Sequence, residues 1–385
     1  MGIKQRRQLS AKIITDPAKS AKLVGLQYIS VERGGFRRKK AGEGFRIVTE
    51  SGKALSNPAD LGRIKSLAIP PAWTDVWICD RDNGHLQATG RDERGRKQYR
   101  YHRRWREVRD ETKFNRIVLF AKSLPRIRQR VRNDLKSTEL SRRKVLATIV
   151  RLLETSLIRV GNEEYARNNR SFGLTTLQDK HVKVNGSTVR FQFKGKSNKH
   201  HTIDIENKQL AKIVKRCQDL PGQDLFQYID ESGQRQDVKS EDVNKYLREI
   251  SGEDFTAKDF RTWVGTVLAA TALHEFEKFD TQAQAKRNLI RAIESVAQRL
   301  GNTPTICKKC YIHPAIVNSY FDGSMVGLLQ WRAENQMATS LNRLRSEEAA
   351  VLKLLEHRSA RDQKPLEKTL KESLAKLKKA RAFRR

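Results

Sequence analysis

The stretch DVWICDRDNGHLQATGRDERGRKQYRYH, residues 75–102, runs into WREVRDE at 105–111, and the character of the chain changes there. DVWIC, HLQATG and KQYRYH are short strand-like runs. Turn signals separate them, Asp-Asn-Gly at 82–84 and Glu-Arg-Gly at 93–95, so the pattern predicts a β-meander. Upstream, IPPAW (69–73) is a rigid, extended entry, and the basic VERGGFRRKKAGEGFR (31–46) is broken by glycines into loops and short strands. Downstream, apolar residues recur every three or four positions in FNRIVLFAKSLPRIRQRVRNDL (114–135) and SRRKVLATIVRLLETSLIRV (141–160), which predicts helices. A second β-patch follows. GLTTL (173–177), HVKVN (181–185) and TVRFQFKGK (188–196) read as strands, with Asn185-Gly186 marking a hairpin. Helices resume in SEDVNKYLREI (240–250), DFRTWVGTVLAATALHEF (259–276) and QAKRNLIRAIESVAQRL (284–300), the last stopping at Gly301. From about 330 the chain reads as a Lys/Arg-rich helix. The expectation is an α+β fold: a small, mainly β N-terminal domain at 1–106, a larger, mainly α domain at 107–335 and a basic helical tail at 336–385.

Charge narrows the partner. Lysine plus arginine number 78 and aspartate plus glutamate 44 in 385 residues, a formal charge of +34. Such a surplus repels itself unless an anion binds, and nucleic acid is the expected partner. The 37% of apolar residues suits a folded core rather than a disordered basic chain. No apolar run approaches the ~20 residues of a membrane span, and no membrane partner is expected. The basic MGIKQRRQLSAK lacks the apolar stretch of a secretory signal. Four cysteines (Cys79, Cys217, Cys307, Cys310) make no disulfide framework, so a reducing, cytoplasmic setting is expected.

Several familiar patterns fail on inspection. CKKCYIHP (307–314) contains half a zinc knuckle, yet a second pair of ligands is missing. KGKS (194–197) lacks the upstream glycine of a phosphate loop, and HEFEK (274–278) has lysine where a zinc protease has its second histidine. DRDNG (80–84) is a turn rather than a calcium loop. The expectation is therefore no metal and no cofactor. What remains is a set of cations with one tyrosine: Arg159 in RVGNEEY, Lys196 in FKGK, Lys258 and Arg261 in KDFRTW, and Asn302 and Tyr311 in NTPTICKKCY. Each alone reads as an ordinary surface residue. Together they suffice for transesterification on DNA. A free tyrosine is phenolate in only about one molecule in a thousand at pH 7, and nearby guanidinium groups favour that anion. Two arginines suit the non-bridging oxygens of the transition state, and a lysine can protonate the departing oxygen.

The segments IPPAW, GRKQYRY (95–101), IRVGNEEYARNN (158–169) with SFGLTTL (171–177), FKGK, KDFRTWVGT (258–266) and GNTPTICKKCYIHP (301–314), in this order, resemble the type IB DNA topoisomerases in the compact form of bacteria and poxviruses. The resemblance implies that family's fold, which tyrosine recombinases share. It places Arg159, Lys196, Arg261 and Tyr311 on the family's catalytic arginine, lysine, arginine and tyrosine. Asn302 falls where many members carry histidine, and asparagine can donate a hydrogen bond but cannot titrate. Tyr320 in VNSYFDG, the competing tyrosine, has no cationic segment before it. The alternation of GRKQYRY puts Gln98 and Arg100 on one strand face and Lys97, Tyr99 and Tyr101 on the other. The resemblance makes Gln98, Tyr99, Tyr101 and Tyr165 DNA contacts, with the cations Arg96, Lys97 and Lys258 at the same interface. It further implies a monomeric two-domain clamp on supercoiled double-stranded DNA, cytoplasmic and nucleoid-associated. Such an enzyme relaxes DNA through a 3′-phosphotyrosyl intermediate without ATP or metal. Two alternatives stand beside it. A tyrosine recombinase usually carries His-x-x-Arg where this chain has Lys258-Asp-Phe-Arg261, and it exchanges strands between duplexes. A DNA-compacting protein binds plasmid without changing its linking number.

Overall fold

The computed structural model describes residues 17–31, 34–276, 279–325 and 344–359. They divide into two compact units between Arg116 and Ile117. Among the described residues no helix is long and apolar enough to cross a membrane.

The N-terminal unit holds helix α1 (Pro17–Leu23), strands β1 (Phe36–Ala41) and β2 (Gly44–Val48), helix α2 (Pro58–Ser66) and strands β3 (Thr74–Ile78), β4 (Leu86–Arg91) and β5 (Lys97–Tyr101). The strands form one antiparallel sheet in the order β2-β1-β3-β4-β5, of which the predicted meander is the β3-β4-β5 part. Strand β3 is covered on both faces. Val76 and Ile78 pack with Ala88 and with Ile64 of α2, while Trp77 packs on the other face with Ile29, Cys79 and Leu86. Asn57 starts α2 by accepting the Ala59 and Asp60 N–H groups at 2.9 and 3.3 Å.

Helix α3 (Arg103–Leu135) begins where WREVRDE predicts and continues through Pro125. The division between the units falls inside it, later than the expected boundary at 106/107. Trp105 explains part of the difference, because it is buried with Ala21 and Leu26 of the N-terminal unit.

The second unit continues with α4 (Arg142–Ser156), α5 (Glu163–Asn169), strands β6 (Val182–Asn185), β7 (Thr188–Lys194) and β8 (His200–Glu206), α6 (Lys208–Gln218), the hairpin β9 (Gln227–Ile229) and β10 (Arg235–Asp237), α7 (Ser240–Ser251), α8 (Ala257–Glu275), α9 (Gln282–Leu300), α10 (Pro304–Tyr311) and α11 (Pro314–Phe321). A single core joins them, with α4 almost wholly buried from Lys144 to Leu153 at its centre. Strand β7 pairs antiparallel with both β6 and β8 and turns Val189, Phe191 and Phe193 into the core.

GLTTL is not a strand. Leu174–Thr176 is one turn of 3-10 helix, because one threonine bonds within the turn and the other reaches back to Val160. Thr176 Oγ1 accepts from Gly173 N–H at 3.0 Å, and Thr175 Oγ1 donates to the Val160 carbonyl at 3.0 Å.

Residues 346–359 form a further helix, α12, that is part of the core rather than a separate tail. Val351, Leu354 and Leu355 are buried, each contributing about 1.5–3 kcal/mol. Glu348 is buried with them. It accepts Arg128 Nη1 and Nη2, both at 2.8 Å, and lies 3.3 Å from Trp263 Nε1. Arg128 Nε donates to Glu154 of α4 at 2.8 Å, so one arginine joins α3, α4 and α12. The remainder of the expected basic tail, 336–343 and 360–385, lies outside the described residues.

Candidate active site

Tyr311 is the last residue of α10. Thr303 caps the start of that helix, and Pro304 occupies its first position, where a missing N–H costs nothing. The far end is pinned to α8 through backbone. The Thr266 hydroxyl faces the Thr262 and Tyr311 carbonyls at 2.8 and 3.2 Å and accepts the His313 N–H at 3.2 Å. Gly265 lets the helices come this close. A Cβ there would stand 2.8 Å from the Tyr311 oxygen and 3.0 Å from its Cβ.

Arg261 projects from the same helix α8. Only 4% of it is exposed. Its Nη1 donates to the Leu157 carbonyl, and its Nη2 to the Leu300 carbonyl at 2.6 Å. Leu157 and Leu300 are the residues where α4 and α9 end. The guanidinium therefore satisfies carbonyls that have no partner within their helices and sits at the negative poles of both. Its carbon lies 5.2 Å from the centre of the Tyr311 ring.

Arg159 follows α4 by three residues. The turn at 173–177 holds its backbone: Leu174 N–H donates to its carbonyl at 2.9 Å. Its Nη2 donates to Asn302 Oδ1. Asn302 comes immediately after Gly301, which ends α9 in the left-handed conformation (φ +60°).

Both arginines hold their protons less tightly than usual. Burial pulls Arg159 down to about 10, and the charge of Arg261 adds to the effect. Arg261 is lowered by its own burial. The Tyr311 phenol offsets part of the shift in each.

Lys196 opens a turn between β7 and β8, in which Ser197 and Asn198 both have left-handed backbones. The turn is closed by Gly195 N–H donating to the Lys199 carbonyl at 2.7 Å. Lys196 is exposed and lines the recess that also contains Arg159, Arg261, Arg299 and His201. Among the described residues no carboxylate lines it. Two buried donors at the site, Arg261 Nε and Asn302 Nδ2, have no partner among the described residues.

The other expected site residues lie elsewhere. Tyr99 is 46% exposed and stacks on Tyr101, with centroids 5.9 Å apart and planes 8° apart. Lys97 Nζ lies 5.9 Å from the Tyr99 ring centre, so these three share a face as the alternation predicts. Gln98 Nε2 instead donates to Asp92 Oδ2 at 2.8 Å, and Arg96 donates to the same carboxylate. Arg96 is the main cause of the fall of the Asp92 carboxyl to about 2. Tyr165 on α5 is 39% exposed, and Lys258 in the first turn of α8 is exposed. Cys307 is fully buried and its thiol is pushed up to about 11 by burial, whereas Cys310 is half-buried. Among the described residues no group of three or more His, Cys, Asp or Glu is placed to hold a metal ion.

The sequence reading missed His201 and Arg299. His201 lies directly across the hairpin from Phe193, so the alternation of β7 carried through the Lys196 turn could have placed it inward.

Over most of its length the chain is similar to DNA topoisomerases. Residues 102–338 match the family model of the eukaryotic DNA topoisomerase I catalytic core. Residues 44–92 match the bacterial DNA topoisomerase IB N-terminal domain. The DNA topoisomerase 1B of Acanthamoeba polyphaga mimivirus is 34% identical over 285 residues, covering 72% of this chain and 85% of the relative. That of Vaccinia virus (strain Copenhagen) is 22% identical over 277 residues, 69% and 83% of the two chains. The DNA topoisomerase 1 of Rabbit fibroma virus (strain Kasza) is 24% identical over 265 residues, 65% and 78%. The chain belongs to the type IB DNA topoisomerase family.

Proposed function

We propose that this enzyme relaxes supercoiled duplex DNA, as a monomer, by transient cleavage of one strand at Tyr311. The Tyr311 oxygen attacks the phosphorus, and its proton passes to solvent water. The 5′-oxygen leaves and takes a proton from Lys196. Arg159, Arg261 and Asn302 donate to the non-bridging oxygens, where negative charge accumulates. The 3′-phosphate is then esterified to tyrosine, the free end rotates, and the 5′-hydroxyl attacks to restore the strand. One phosphodiester is exchanged for another, so resealing draws on no ATP and the chemistry asks for no metal.

One observation carries this reading. One buried and one half-buried guanidinium group stand beside a phenol, and among the described residues no carboxylate lines their recess and two donors of the cluster lack partners. Such a site is built for an anion that arrives from outside. The stacked Tyr99–Tyr101 pair with Lys97, together with Tyr165 and Lys258, supplies exposed aromatic and cationic side chains for duplex contact. Gln98 and Arg96 would exchange Asp92 for DNA. With a +34 charge, affinity falls steeply as salt rises.

The test is relaxation of supercoiled plasmid in EDTA without nucleotide, followed by identification of the DNA-linked peptide. Full activity and an adduct on Tyr311 are expected. Tyr311→Phe should bind DNA and leave it uncut. Activity lost in EDTA, turnover by Tyr311→Phe, or an adduct on another side chain would each overturn the scheme.

A further inference from the structure

Among the described residues that line the recess, His201 is the one titratable side chain, apart from the cations, that the scheme above leaves idle. It stands near the start of β8 and stacks on Phe193, with ring centres 5.2 Å apart and planes 20° apart. Two glycines close on it. A Cβ on Gly195 would come within 2.7 Å of the ring, and so would a Cβ on Gly301. Gly195 precedes Lys196 and Gly301 precedes Asn302. The imidazole is therefore wedged between the two turns that present those residues. Neither ring nitrogen has a hydrogen-bond partner among the described residues. The charged groups facing it are Arg159, Arg261, Arg299 and Lys196 around the recess and Lys199 and His200 on its own segment.

We propose that His201 is a further phosphate-contacting residue of strand cleavage: an imidazole that donates a hydrogen bond to the scissile phosphodiester and gains a proton when DNA is bound. It would supply the titratable donor that Asn302 cannot be. The proposal rests on the reading of Arg159, Arg261, Lys196 and Tyr311 as the cleavage site.

The sign follows from the surroundings. In the free protein burial is the largest influence, and Arg159, Arg261, Lys199 and His200 add to it. All of them hold the imidazole below its ordinary range, so it is neutral near pH 7. A bound phosphodiester offsets part of the positive charge and raises the titration point. The extra cation is then present in the complex at low pH and lost as pH rises through the bound-state titration.

The experiment compares single-turnover cleavage of a trap duplex by the full chain, by His201→Gln and by His201→Phe, from about pH 5.5 to 8.5. The ratio of wild-type to variant rate cancels every titration that the proteins share. One proton can change that ratio by at most about tenfold per pH unit. We expect it to grow at least about fivefold on acidification for both variants. His201→Phe keeps a ring against Phe193, so a purely structural wedge gives a ratio that pH does not move. His200→Gln, at the exposed neighbour, should show a flat ratio. A ratio constant within about twofold for both His201 variants, or the same slope in His200→Gln, overturns the proposal and leaves the cleavage site standing. Cleavage by Tyr311→Phe in the same assay overturns both.

Discussion

Replacing Gly265 with alanine tests whether the approach of α10 to α8 positions the nucleophile. The added methyl would stand 2.8 Å from the Tyr311 carbonyl oxygen, 3.0 Å from its Cβ and 3.2 Å from Leu300 Cδ1. Ordinary contact begins at 3.4 Å, so the helices must part by about half an ångström. On the Tyr311 side the obstacle is backbone, and no change of rotamer relieves it. The Thr266 contacts to Tyr311 and His313 stretch with the shift, and the phenol moves away from Arg261. A misplacement of about 1 Å can cost on the order of 100-fold in a reaction that depends on alignment. Half that displacement predicts about tenfold, or ~1.4 kcal/mol of barrier. Alanine is also the better helix former by about 1 kcal/mol, which offsets much of the strain in the global balance. The assay is covalent adduct formation on a trap duplex under single-turnover conditions, with DNA affinity and thermal midpoint measured on the same preparation. Adduct formation should slow about tenfold while affinity and midpoint stay near wild type. A folded Gly265→Ala protein that cleaves at the wild-type rate would refute the argument.

Arg159→Ala and Arg261→Ala should each slow cleavage by several powers of ten, measured by the same adduct assay; losses under about tenfold would place them outside the transition state. Arg261→Ala should also lower the thermal midpoint, because it orphans the Leu157 and Leu300 carbonyls. Glu348→Gln breaks a buried pair, which costs about 3–5 kcal/mol when one partner is left alone; Glu154 still serves Arg128, so about 2–3 kcal/mol is expected from denaturant titration at pH 7. Burial works to raise the Glu348 carboxyl, but its bonds to Arg128 outweigh it and the net shift is downward. The stabilisation is therefore present above the usual carboxylate range and lost as pH falls through the lowered value. The gap between wild type and Glu348→Gln should close on acidification, and a gap independent of pH would show that the charge is not responsible.

The two-part architecture was legible because its signals are local. The turns at 82–84 and 93–95 and the Asn185-Gly186 hairpin each carry their own geometry, and so do the apolar intervals of α4, α8 and α9. Arg159, Arg261, Asn302 and Tyr311 were named from motifs, and the fold brings them together. What escaped depends on contacts between distant segments. GLTTL has strand composition, but Thr175 and Thr176 spend their hydroxyls on Val160 and Gly173. Strand β8 alternates only through Ile203 and Ile205 in a polar run. Helix α12 reads as a solvated face until Glu348 meets Arg128. Gly265 looks like a flaw in a helix, and only the position of Tyr311 gives it a purpose.

Arg261 ties the last carbonyls of α4 and α9 to the proposed reaction centre, and on that reading this sets the order in which the enzyme fails. Warming frays helix ends before it melts helix middles. Once either end loosens, the guanidinium loses an anchor and swings out of register with the phenol. Under the proposed scheme a half-damaged copy would bind DNA without nicking it, a benign breakdown for a protein whose trade would be cutting.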